Sequence, residues 1–507
     1  MVWVNKPAPR SVVIPSVGAR RSTVLTLALA LALGSVASAQ TLPSGEVWRY
    51  TLLEGSVLVD DCPICGRPTI QEPMRGTFDL ALVEVTPLAS RYELRNISFT
   101  AGRPGGRIYR VVGSGVWTFG GEVALRQEMT LTVGIDDGFE AKSCSFTNED
   151  AGVTRAWPMM AIDLLQTNGT LSQTYSLTII AAPVREMWFS TTVAFTSANE
   201  PGLGLIEPGD LLSITGHVVK RNRQLTALLG IQPVTEDYGL DAVDVIRGGE
   251  ILFSMNKDVS SQRLGLIRHG DLISAEGNVR QTNFELLAPF DPQPTGDAGL
   301  DALIIRPGAE IWFSIRSNIV STRTGGPLRR GDLLSSTGVV VRTQEQLLSR
   351  FHPVVAKDYG LDALHVWESG EIWFSTEDDF QDQQLGPIAA GDLLSDLGVI
   401  VFRNRDFVSR FAPQEQTADF GVDALFLITD TFAAPTPPRI TMLTMEGLVP
   451  RRMEWTGNGR VFQVEAIPQL GDPTVLSPAS PIIADFSFEF PVRNGIDNQM
   501  FYRLRQW

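Results

Sequence analysis

The sequence predicts an all-β protein: an N-terminal β-sandwich or barrel, a four-bladed β-propeller of about 61-residue repeats, and a small C-terminal β-sandwich. The first observation behind this is a block that recurs four times between residues 186 and 428. Its anchors are a Glu-Ile-Trp-Phe-Ser, a Gly-Asp-Leu-Leu-Ser and an Asp-x-Gly-Leu-Asp-Ala-Leu. The glutamate falls at Glu186, Glu250, Glu310 and Glu371, and the second anchor's aspartate at Asp210, Asp271, Asp332 and Asp392. A fixed period of this length is the mark of stacked or ring-forming supersecondary units. The second observation is period-two alternation of apolar and polar residues on both sides of the block, the pattern of antiparallel sheet with one wet face. The third is at the ends of the block. Glu186-Met-Trp-Phe-Ser has no Asp-Ala strand before it, and Asp423-Ala-Leu-Phe-Leu-Ile has no Glu-Ile-Trp-Phe-Ser after it. The two orphan halves complete one unit if the last strand pairs with the first, which closes the array into a ring. The competing arrangement uses Thr178-Ile-Ile as the missing partner and leaves the array open.

Residues 1–39 read as a signal peptide. Arg20-Arg21 precedes a short Leu/Ala-rich run from Val24 to Val36, and Ala37-Ser38-Ala39 forms an Ala-x-Ala cleavage site, so the mature chain starts near Gln40. The arginine pair also fits a twin-arginine export signal. No later stretch approaches the roughly 20 apolar residues of a spanning helix, so the mature chain carries no expected transmembrane anchor. The expected location is outside the cytoplasm: secreted, or at the exterior or periplasm of a bacterial envelope. Residues 1–39 hold four basic residues and no acidic ones, so the remainder has 38 basic against 57 acidic residues, a balance of −19. Such a surface repels a phosphate backbone and argues against a nucleic-acid partner.

Residues 40–183 form the N-terminal all-β domain, with strands such as Ala124-Leu-Arg-Gln-Glu-Met-Thr-Leu-Thr-Val between Gly, Pro and Asp turns. All three cysteines, Cys62, Cys65 and Cys144, lie here. Cys62-Pro-Ile-Cys65-Gly66 resembles the thiolate knuckle of rubredoxin-like metal sites, but the domain has no histidine and one further cysteine. In an exported chain a disulfide from Cys144 to Cys62 or Cys65 is the plainer reading, and free thiols are the third.

Within residues 184–428 each unit parses as four antiparallel strands and a short helix. In one specimen these are Leu361 to Val366, Glu371 to Ser375, Gly391 to Ser395 and Val399 to Phe402, followed by a helix from Arg405 to Phe411. Thr376 to Ala390 is a variable loop. Asn222, Asn283, Thr343 and Asn404 read as helix N-caps, whose side-chain oxygens accept free amides. Pro233, Pro292, Pro353 and Pro413 read as stops. Residues 429–438 form a Pro-rich linker, and residues 439–507 carry alternating strands.

The block resembles the hemopexin-like four-bladed propeller, in which each blade opens with an Asp-Ala strand; here the pairs are Asp241-Ala242, Asp301-Ala302, Asp362-Ala363 and Asp423-Ala424. The disulfide joining first and last blades in that family has no counterpart, since no cysteine follows Cys144. The wording of the anchors is similar to a family of uncharacterised exported bacterial repeat proteins, and Trp455, Val461 to Glu465 and Phe501-Tyr-Arg resemble a fibronectin type III-like module. The hemopexin-like resemblance implies that the carbonyls of Ala242, Ala302, Ala363 and Ala424 line a central channel. Asp237, Asp297, Asp358 and Asp419 recur before the glycine, and Asp241, Asp301, Asp362 and Asp423 after it, in fourfold register. Together these are the candidate oxygen ligands of a structural Ca²⁺, the one cofactor expected. The alternative is that the aspartates satisfy turn amides.

His217, His269, His352 and His365 occupy different places in the repeat and make no ligand ring, and no nucleophile elbow or phosphate loop appears. The function expected is an exported, non-catalytic binding or adhesion protein whose partner is an extracellular protein or glycan. The alternative is a secreted polysaccharide hydrolase or lyase with carboxylates at the channel mouth. Catalysis needs two carboxyls in unlike environments, and repeat symmetry works against that.

Overall fold

The computed structural model describes residues 47–507, apart from Pro104, Glu200, 234–235, 433–435, 447–448, 468–476 and 492–499. The signal-peptide segment and part of the linker lie outside the described residues. The chain is built almost wholly of antiparallel strands.

The N-terminal domain is a closed barrel rather than a sandwich. Val47–Leu52 and Val57–Asp61 are joined through Gly55 at φ 86°, and occupy one barrel position in succession. Both pair with the long strand Ile70–Val85 on one side and with Thr174–Ala182 on the other. From Thr174–Ala182 the ladder runs through Met160–Gln166, Ala141–Thr147, Arg126–Asp136, Tyr109–Gly120 and Ala89–Ala101 back to Ile70–Val85. Closure removes the exposed sheet edges. Strand residues alternate strictly, as in Arg126–Asp136, so every second side chain points inward. The interior is filled by aromatics, with Trp117 and Trp157 stacked at 6.0 Å.

This pairing settles the role of the Thr178 segment: it belongs to the barrel, so it is not the missing partner of the repeat. The cysteine expectation is also corrected. Cys62 and Cys65 are bonded to each other, with Cα atoms 5.2 Å apart. Cys144 is a free, buried thiol in mid-strand. Its side chain points into the packed interior, whereas the Cys62 to Cys65 turn brings its own two Cβ atoms within bridging reach. The oxidised pair offers no thiolates to a metal knuckle.

The repeat block folds as four four-stranded sheets. The second consists of Val243–Val245, Ile251–Phe253, Leu272–Ser274 and Asn278–Gln281, and the third and fourth copy it. The first is assembled from both ends of the block: Val422–Thr429 pairs antiparallel with Val184–Thr191, with Trp188 opposite Phe426. The first strands of the four sheets adjoin one another in a ring. A second closure lies outside it, where Pro413 bridges to Ser197 of the first unit.

Repeated polar residues hold this ring. Glu186, Glu310 and Glu371 each accept the indole N–H of the Trp two residues on and the hydroxyl of Ser213, Ser335 or Ser395. In the second unit Leu252 replaces the Trp, and Arg280 takes its place on Glu250. The serine closing the first anchor reaches across to the next sheet: Ser190 donates to the Leu240 carbonyl, Ser254 to Leu300, Ser314 to Leu361 and Ser375 to Val422, at 2.7 to 3.2 Å.

The helices differ from expectation in register and length. They span Asn222–Leu225, Asn283–Leu287, Gln344–Leu347 and Asn404–Val408, so their N-caps are Arg221, Thr282, Thr343 and Arg403. Asn222, Asn283 and Asn404 are therefore first helical residues, equivalent to Gln344 and not to Thr343. Their amides are received by the second-anchor aspartates, Asp210, Asp271, Asp332 and Asp392. The variable loops are themselves two-stranded hairpins, such as Phe380–Asp382 with Gly386–Ile388.

Residues 439–507 form two three-stranded sheets, one of Arg439–Glu446, Val449–Thr456 and Ser487–Glu489, the other of Ser477–Pro478, Phe462–Ile467 and Phe501–Gln506. Among the described residues, no helix is long and apolar enough to cross a membrane.

Candidate functional site

The repeated Asp-x-Gly turn and the Asp-Ala strand after it place two sets of carboxylates differently. In the turn, Asp237 accepts the amides of Gly239 and Gly209, Asp419 those of Gly421 and Gly391, Asp297 that of Gly299 and Asp358 that of Gly360. This is the local hydrogen bonding that a short carboxylate side chain makes at turns. The carbonyls of Ala242, Ala302 and Ala363 accept the amides of Ser254, Ser314 and Ser375, so they face the neighbouring strand. Among the described residues, no three His, Cys, Asp or Glu side chains meet in a way that could hold a metal ion.

The carboxylates that gather are those opening the Asp-Ala strands. Asp241, Asp301, Asp362 and Asp423 are 2 to 6 % exposed. Asp241, Asp301 and Asp362 stand two residues before the first strand of their sheets and Asp423 within its own, Val422–Thr429, and ring closure brings these equivalent positions together. Burial pushes Asp241 up to about 6, against the pull of Arg316. Burial first, and then the neighbouring aspartates, raise Asp301, Asp362 and Asp423 well above the usual carboxylate range. Like charges close together in a dry site cannot all ionise readily, so these groups give up their protons at higher pH than free carboxylates do. Asp362 and Asp423 share a side-chain hydrogen bond. Asp241 Oδ1 and Asp301 Oδ2 are buried without a hydrogen-bond partner among the described residues.

Around this cluster the symmetry breaks. The position two residues after each first-anchor serine is Thr192, Asn256, Arg316 and Glu377 in turn. Each packs against the Asp-x-Gly glycine of its own sheet; a Cβ on Gly360, at φ 75°, would come within 2.7 Å of the Glu377 Cβ. Arg316 crosses to Asp241 at 3.1 Å. Arg330 binds Glu377, Asp378 and the Asp358 carbonyl, and Lys357 adds a 3.1 Å contact to Asp378. Two of the four equivalent positions are thus charged and two, Thr192 and Asn256, neutral.

The histidines remain scattered. His269 bonds Asp258, while His217 is driven to about 4 and His365 to about 3, chiefly by burial.

The sequence offers both aspartates of each Asp-x-Gly-x-Asp as cation ligands; the structure engages Asp237, Asp297, Asp358 and Asp419 with turn amides and gathers Asp241, Asp301, Asp362 and Asp423. An aspartate opening the first strand of every unit must, in a closed ring, meet its three equivalents. Arg316 and Glu377 were findable as breaks in the register of otherwise matching units.

No family model matches the chain, and no curated protein matches it. Among solved structures, the extracellular domain of the putative hybrid two component system BT4673 from B. thetaiotaomicron aligns over 85% of this chain and 83% of that one, at 7% identity and a TM-score of 0.19. A likeness of that size carries no argument about fold or function.

Proposed function

We propose that this chain is an exported, non-catalytic binding or adhesion protein that presents the ring of four sheets as a platform to an extracellular protein or glycan. One observation carries the reading: most of the fourfold polar residues are engaged in holding the ring, while the position two residues after each first-anchor serine differs in every unit, as Thr192, Asn256, Arg316 and Glu377. Recognition of a partner lacking fourfold symmetry needs such a difference. Export rests on Arg20-Arg21, the Val24 to Val36 run and the Ala-x-Ala site. A hemopexin-like propeller is the reading given to the ring, supported by its end-to-end pairing and its Asp-Ala strands. The test is a panel of glycans and Ca²⁺ scored by thermal shift, since a ligand that binds only the folded state raises Tm. A true partner's shift disappears in Glu377→Ala; a shift that survives places binding elsewhere, and no shift from any glycan removes the glycan form of the reading.

The second reading is a polysaccharide hydrolase or lyase. It is favoured by the proton-holding Asp362 lying near Glu377, two carboxyls in unlike environments. Reducing-end release or unsaturated-uronate absorbance, abolished in Asp362→Asn, would establish it in place of the first.

A further inference from the structure

A cavity of about 740 Å³ lies between the second and third sheets, where the linker and the C-terminal module meet the ring. Arg247 and Arg280 come from the second sheet, Arg306 from the third and Arg460 from the C-terminal module, with Leu252, Leu272 and Phe432 as apolar wall. Four guanidinium groups converge in a chain whose formal charge is −15. The two carboxylates beside them, Glu250 and Asp244, are fewer than the four guanidinium groups and leave the cavity net positive. Glu250 is occupied by Arg280. Asp244 is buried and already accepts the amides of Val245 and Ile305 at 2.8 and 2.7 Å, with Arg460 3.9 Å away.

Arg460 Nε is buried without a hydrogen-bond partner among the described residues. The Arg460 guanidinium lies over Phe432 at 4.3 Å and Phe426 at 4.9 Å. Arg306 stacks on Trp312 at 4.9 Å and donates to the Val366 carbonyl at 3.3 Å. Arg247 lies 6.0 Å from the Phe432 ring. Neither Arg247 nor Arg306 has an ion-pair partner among the described residues. Cations held on aromatic faces keep their N–H edges available, and a fork of such edges matches a planar or tetrahedral oxyanion. The mixture of apolar wall and a few convergent polar groups is that of small-molecule pockets in general.

We infer that this cavity binds a small organic anion, its carboxylate or phosphate group taken by Arg247, Arg306 and Arg460 and its apolar body laid against Phe432, Leu252 and Leu272. The competing account is that the arginines only glue the C-terminal module to the ring through their aromatic contacts.

Calorimetric titration of the purified full chain with 1-naphthoate, 1-naphthyl phosphate and uncharged 1-naphthol separates the two accounts. At least one anion should bind at least about 10-fold more tightly than naphthol, and which anion prevails identifies the headgroup. Arg247→Gln, an exposed position, should weaken that anion about 10-fold, in the range of a charged hydrogen bond, while Arg405→Gln on a distant exposed helix leaves it unchanged. Binding should also weaken with added salt. Absence of anion binding, equal affinity for naphthol, or an Arg247→Gln variant that binds as the parent does would each overturn the site. Thermal melts of Arg247→Gln that match the parent show that a lost affinity is not lost folding.

Discussion

Asp301 shows how a residue's chemistry is set by its neighbours. The residue is 3 % exposed, and its titration is raised first by burial and then by the charges of Asp241 and Glu377. A group whose folded-state titration lies above its unfolded one stabilises the fold below the unfolded value, near 4. That contribution is lost as pH rises through the folded value, which for Asp241 is about 6. The protein should therefore lose stability as pH rises from about 4 through about 6, and further as Asp301, Asp362 and Asp423 are forced to ionise. Asp301→Asn mimics the protonated form and should gain roughly 2 °C in Tm at pH 8 and little at pH 5; equal losses at both pH values in thermal melts would contradict the shared-proton cluster. Cys144 makes a second residue-scale case. Buried and unbonded, it should be silent to a thiol reagent in the native protein and be the one residue labelled in urea, as peptide mapping would show, whereas a Cys144 disulfide would move the label to Cys62 or Cys65.

At the scale of one element, the short helices are fixed less by their own caps than by the loops they touch. Asn283 Nδ2 donates to the carbonyls of Gly270 and Gly299, and its Oδ1 accepts the Ala298 amide. One buried side chain thus ties a helix start to both anchor turns, while Thr282, the true N-cap, does its work at the surface. Asn283→Ala leaves buried groups unpaired and should cost about 2 to 3 kcal/mol, against about 1 kcal/mol for Thr282→Ala. Denaturant unfolding of the two variants decides between them, and the reverse order would restore Asn283 to the cap position that its residue type invites. Sequence legibility stops here for a physical reason. Asn is equally suited to an N-cap and to a buried two-ended clamp, and only the neighbouring carbonyls distinguish the roles.

For the whole molecule, Asp430 is where the parts meet. Buried at the end of the closing strand, it accepts two bonds from Arg185 of the ring, one each from Arg505 and Trp507 of the C-terminal module, and the amide of Arg49 in the barrel. Burial works against its charge, but Arg185 and Arg505 outweigh it and hold the carboxyl below its ordinary range. Removing one partner from a buried network costs about 3 to 5 kcal/mol. Asp430→Ala should therefore split thermal unfolding, so that scanning calorimetry resolves the C-terminal module from the rest, whereas a single undivided transition at the parental Tm would show that the hub is dispensable. Arg75 with Asp406, and Arg155 with Glu371, tie the barrel to the fourth sheet and should keep those two parts unfolding together.

The sequence by itself determined the all-β class and the repeat, because turn residues, alternation and period are local properties that every copy restates. Closure was one of two arrangements its half-units allowed, and the pairing of Val422–Thr429 with Val184–Thr191, with Thr178 held in the barrel, decided it. Tertiary structure alone decided which cysteines bond, which aspartates share protons and which charges become hubs. Those outcomes depend on burial and on contacts between residues hundreds of positions apart, such as Arg49 and Asp430. The same aspartate type satisfies a turn amide at 237 and holds a proton at 301 because ring closure dries one site and leaves the other within reach of backbone donors.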